Sequence, residues 1–134
     1  MIAVDVREAD EEPASTVLAF PEGLVGLPDL HRFEITPVAG TTLYQLDSLD
    51  SPQFGFIAAR ADDVRAGTSD AVRALGFMTE QDGLLALLSV HGDPPSVTAN
   101  LAGPVVVNLD SGTARQLVLE DPAFPLRAPL ERPR

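Results

Sequence analysis

The ten residues at positions 99–108, Ala-Asn-Leu-Ala-Gly-Pro-Val-Val-Val-Asn, constrain the fold of this chain more than any others. Branching at Cβ stiffens three consecutive valines and suits them to a pleated, buried strand rather than a helix. Pro104 has no backbone N–H to give a neighbouring strand, and Gly103 has no side chain to pack. A kink or bulge therefore belongs just before the valines. Asn100 and Asn108 bracket the run, and their amides are read as satisfying backbone groups at its ends.

The rest of the chain favours the same class. Twelve prolines and ten glycines in 134 residues are too many for a helical bundle and suit short strands joined by turns. A chain of this length forms one domain and buries roughly two-thirds of its unfolded surface. Tryptophan is absent and aromatics are few, so Leu, Val and Ala must make the core.

Strands are expected at residues 16–20, 32–36, 43–49 and 54–59, where Phe54 and Phe56 share a face. Leu24 and Leu27, in the glycine-rich loop at 22–28, are expected to tuck beneath it as a satellite core. Residues 69–76 read as the one helix, with Ser69 as N-cap, Asp70 at the positive end of the dipole and Gly76 as the stop. Residues 84–90 are apolar on both faces and read as a central strand. The strand pair at 97–108 and a last strand at 116–120 complete the set. Residues 8–12 are an acidic run read as a solvated, mobile segment. Residues 121–134 hold four prolines and are expected to be irregular, packed by Phe124, Leu126 and Leu130. No repeat or linker divides the chain. The expected fold is mostly β: a small antiparallel β-barrel-like single domain with one short helix.

Net charge is −11, and all nine basic residues are arginine. Such a surface repels phosphate backbones, so no direct nucleic-acid binding is expected. It attracts a basic partner and speeds the encounter, although acidity alone also keeps a domain soluble. Without cysteine there are no disulfides, thiolate metal sites or Cys nucleophile. The first residues lack a signal-peptide pattern, and no apolar run approaches the ~20 residues that span a bilayer. The expected location is cytoplasmic, with no membrane contact. Catalysis would rest on His31 or His91, each isolated near a strand end, and no G-x-S-x-G elbow surrounds any serine. Asp47, Asp50, Asp62 and Asp63 are oxygen donors without the spacing of a calcium loop. Neither an enzyme nor a metal or other cofactor is expected.

Residues 100–108 resemble the N-L-x-x-P-[IV]-V-[IV]-N signature of the FliW-type flagellar assembly factors. Three further stretches join it in order. Residues 20–27, Phe-Pro-Glu-Gly-Leu-Val-Gly-Leu, are similar to the family's F-x-x-G-L-P-G-F element, with Gly23 and Gly26 at its glycines. Residues 46–56 resemble its L-Q-S-L-x-x-P passage, and Gln116-Leu117-Val118-Leu119 its Q-[VIA]-[IV]-L strand. The departures are Val25 for a frequent Pro, Leu27 for Phe, Gly103 for Ala and Asp47 for Gln. They change loop stiffness and packing volume. Within the signature, Gly23, Gly26, Asn100, Leu101, Pro104, Asn108 and Gln116 are read as structural.

The resemblance implies a non-catalytic regulator that binds a CsrA-type RNA-binding translational regulator and holds it off flagellin mRNA. It also implies binding of cytoplasmic flagellin, so that newly made flagellin captures the factor and frees the regulator. Such a switch needs only differential binding free energies. Expected contacts are Glu22, Asp29, Asp47 and Asp50, in or near the family-like loops, on a monomer. Two other readings stand beside this one. One is a small-ligand-binding β-barrel or undetected hydrolase, which requires a deep pocket lined by His31 or His91. The other is a structural subunit that uses an exposed strand edge.

Overall fold

The computed structural model describes residues 15–92 and 94–130. The acidic run at 8–12 and the end of the tail lie outside these residues. Nine strands and two short helices occur among them: β1 Thr16–Ala19, β2 Arg32–Pro37, β3 Tyr44–Ser48, β4 Gly55–Arg60, α1 Ala61–Val64, α2 Thr68–Ala74, β5 Gly83–His91, β6 Ser96–Ala99, β7 Val105–Asn108, β8 Thr113–Gln116 and β9 Ala128–Pro129.

Seven strands close into a barrel in the order β4-β3-β2-β1-β8-β7-β5, with β4 pairing back onto β5. The pairings are antiparallel except for β1 and β8, which meet in parallel at Ala19 and Thr113. The far half of β5 leaves the barrel and pairs with β6, and β6 pairs with β9.

Strand alternation fills the barrel. Cross-strand partners Leu18 and Phe33, Ile35 and Leu46, and Leu85 and Val105 all join one buried cluster. Phe33 is fully buried between Phe20, at 5.2 Å in an edge-on arrangement, and Phe56, at 6.0 Å. The opposite faces of β5 and β7 supply Leu84, Ala86 and Val106 to a second cluster, beneath α1, α2 and the tail. The apolar runs at 84–87 and 105–107 are therefore covered on both sides, which removes the need for polar alternation.

Four details differ from the sequence expectation. A second helix, α1, is a single turn, too short for a periodic signal. Ser69 does not cap α2: the N-cap is Gly67 at φ +87°, and the carboxylate of Asp62, from α1, accepts the Ser69 N–H at 2.8 Å. The last barrel strand is Thr113–Gln116, earlier than the expected 116–120. Beyond it the chain stays extended, with Leu117 N–H donating to Pro104 O and Leu119 N–H to Ala102 O. Pro104 has no N–H to return a bond, so regular pairing stops there. Lastly, Leu24 and Leu30 belong to the barrel core itself, while Leu126 is 62% exposed and Ala128 is buried among the tail residues.

Candidate functional site

The ends of β1, β3 and β8 and the beginnings of β2, β4 and β7 share one mouth of the barrel. The loop at 20–31 crosses it. Phe20 N–H donates to His31 O at 2.6 Å, and Leu24 and Leu27 exchange backbone bonds at 3.2 and 2.9 Å. Gly23 turns this loop at φ +69°, and a Cβ there would lie 2.5 Å from Pro28 O, so the position needs glycine. Gly26, at φ +81°, has open space around it.

Gln116 fastens this loop to the kink before β7. Its Oε1 accepts the Val25 N–H at 2.8 Å, and its Nε2 donates to Gly103 O at 2.9 Å. A donor on one side and an acceptor on the other fix the orientation of the amide. Asn100 shapes the same kink, accepting the Gly103 N–H at 2.8 Å on Oδ1. A Cβ on Gly103 would stand 2.9 Å from both amide nitrogens, a close approach that favours glycine. Leu101 and Pro104 are fully buried beside it. Asn108 lies at the other end of β7, accepting the Ser111 N–H at 2.9 Å and donating to Asp82 at 3.0 Å.

The four acidic residues are not gathered into one cluster. Glu22 and Asp29 are exposed on the 20–31 loop. Asp50 is committed to the fold: its Oδ2 accepts the N–H groups of His31 at 2.7 Å and Arg32 at 2.8 Å. These bonds, the Arg32 one first, hold its pKa below the ordinary carboxylate value against the opposing effect of burial. Asp47 stands on the outer wall of β3, accepting from Gln45 Nε2 at 3.0 Å. Asp82, which the sequence did not single out, accepts the Thr79 N–H at 2.9 Å. That bond is the main cause of its lowered pKa.

An open groove of about 370 Å³ borders the Gln116 junction. Leu24 and Leu27 line it from the loop, Phe56, Leu87 and Leu88 from β4 and β5, and Val118 and Leu126 from the chain beyond β8. Val25, Val118 and Leu126 are each more than 60% exposed. Among the described residues the lining includes no titratable side chain, so this surface is suited to apolar docking rather than to proton transfer. Sequence alternation could have found Val118, because Leu117 and Leu119 are buried and Val118 must face the other way. Leu126 gave no such signal.

A larger hollow of about 700 Å³ lies at the opposite mouth, and its two arginines are engaged within the chain. Arg60 donates to the Tyr44 hydroxyl at 3.2 Å, and Arg73 pairs with Asp70 at 3.0 Å. Neither histidine lines either hollow. His31 Nδ1 donates to Phe20 O at 3.1 Å, and His91 Nε2 bonds Thr98 Oγ1 at 3.1 Å. Among the described residues, no three His, Asp or Glu side chains group as metal ligands, and no helix is long and apolar enough to cross a membrane.

Comparison with known proteins agrees with this architecture. A chain titled as the crystal structure of the flagellar assembly factor FliW superimposes with a TM-score of 0.69 at 20% identity, over 96% of this chain and 90% of that one. The flagellar assembly factor FliW of Symbiobacterium thermophilum is 36% identical over 124 residues, covering 85% of this chain and 88% of its own. That of Bdellovibrio bacteriovorus is 31% identical over 125 residues, covering 85% and 69%. The model of the FliW protein family matches residues 5–130, and the chain therefore belongs to the FliW family.

Proposed function

We propose that this protein is a flagellar assembly factor that acts by binding, in a switch between two protein partners. One partner is a CsrA-type RNA-binding regulator, held off flagellin mRNA while bound. The other is flagellin, which captures the factor and releases the regulator. The observation that carries this reading is the family match over residues 5–130. Two features of the chain support it. A net charge of −11 complements a protein basic enough to bind RNA. The exposed apolar groove beside the Gln116 junction offers a surface for a protein rather than for a reacting small molecule.

Release of the regulator requires only that flagellin binding and regulator binding oppose one another. Titrating the CsrA-type regulator from the same cell into the full chain tests the first half. Binding that weakens as salt rises is expected, because long-range attraction between opposite net charges is screened. An affinity independent of salt from low to high ionic strength would remove the electrostatic part of the proposal. No binding at all would remove the regulator as a partner.

A further inference from the structure

Beyond β8 the chain runs extended along the kink, bonded to it through alternate residues, Leu117 and Leu119. Strand geometry turns the N–H and C=O groups of the intervening Val118 and of Glu120 toward the opposite edge. Among the described residues neither N–H has a backbone partner, and both residues are exposed. Two donors two residues apart match the repeat of a β-ladder, not of a helix. The side chains add a second pattern. Leu117 and Leu119 are buried, while Val118 and Glu120 point outward together. Val118 borders the apolar groove with Leu126, and exposed Asp121 follows Glu120.

We propose that residues 117–120 form a docking edge that takes an extended segment of a basic protein partner by strand addition. The incoming segment bonds the Val118 and Glu120 backbone, sets an apolar side chain against Val118 and Leu126, and places Arg or Lys opposite Glu120. Backbone bonds would supply affinity, and the alternating apolar and basic side chains would supply selectivity. The proposal rests on the partner-binding reading above and assigns the extended segment to the regulator, because its charge complements this acidic chain.

The test uses the full chain and the CsrA-type regulator from the same cell. Amide hydrogen exchange is followed at positions 118 and 120 with and without the regulator, and affinity is measured for Val118→Pro and Val118→Ala. Strand addition predicts exchange slowed at least tenfold at both amides. It predicts binding weakened at least tenfold by Val118→Pro, which removes a donor, and less by Val118→Ala, which keeps it. Among the described residues the Val118 N–H makes no backbone bond, so the proline variant is expected to fold, and the unsubstituted chain's exchange data decide the matter if it does not. Regulator binding that leaves both amides exchanging freely overturns the docking edge while leaving the partner reading intact. Protection by flagellin alone overturns the assignment to the basic partner. Failure of the unsubstituted chain to bind the regulator refutes the partner reading itself and the inference with it.

Discussion

Replacing Gln116 with Ala removes a side chain that ties the 20–31 loop to the kink before β7. The two lost bonds are unequal. Gly103 is buried, so its carbonyl is left without a partner, at about 1–3 kcal/mol. Val25 is 63% exposed, so water replaces the amide at its N–H, and that loss is about 0.5 kcal/mol. The sum is about 1.5–3.5 kcal/mol. For a domain of this size that lowers the melting temperature by about 5–12 °C. Gln116→Glu separates the two terms: the carboxylate still accepts from Val25 but sets a lone pair against Gly103 O. It should cost at least as much as Ala at neutral pH and recover on acidification, when the protonated acid can donate. Urea unfolding of the three proteins near pH 7 and pH 4 reads these differences directly. An alanine variant within about 0.5 kcal/mol of the parent, the range of ordinary surface changes, would refute this view of the junction.

Other substitutions probe different parts of the fold. Gly23→Ala must accept both a positive φ and a Cβ 2.5 Å from Pro28 O, whereas Gly26→Ala meets only the positive φ. Thermal melts should therefore show a loss of about 1 kcal/mol for Gly26→Ala and distinctly more for Gly23→Ala. Phe33→Ala, at the centre of the aromatic row, should cost about 3–5 kcal/mol by chemical denaturation. The folded-state pKa values of Asp50 and Asp82 lie below the usual 3.8. Their stabilisation is therefore fully present above that value and is lost as pH falls through the lowered folded-state values. Asp50→Asn should be less stable than the parent at neutral pH, with the gap closing on acidification. A gap that widened instead would contradict the direction of the shift.

Strand positions were readable wherever alternation or a continuous apolar run marked burial, as at Phe33 and Ile35 or Val105 to Val107. The closure of the barrel was less so, because it depends on Ala58 and Ala59 meeting Leu87 and Ala86, far apart in sequence, and alanines carry little periodic signal. The end of β8 was misplaced because Gln-Leu-Val-Leu alternates like a strand whether or not its neighbour can return hydrogen bonds, and Pro104 cannot. Ser69 had the right chemistry for a cap, but the carboxylate of Asp62 reaches that N–H from another helix, a tertiary contact that local sequence does not encode. Asp50 looked like a surface charge. Its two bonds to the backbone at His31 and Arg32 depend on the β3–β4 turn folding back against the start of β2. Apolar surface such as Leu126 is hardest of all to anticipate, since a leucine reads as core until its surroundings are known.

The central claim is a competition between two partners for this protein. Calorimetric titration of the chain with the CsrA-type regulator, repeated after saturation with flagellin from the same cell, measures it most directly. The switch predicts binding in the first titration and its loss, or strong weakening, in the second. Regulator binding of equal affinity in both titrations would contradict it, because partners that bind independently cannot displace one another.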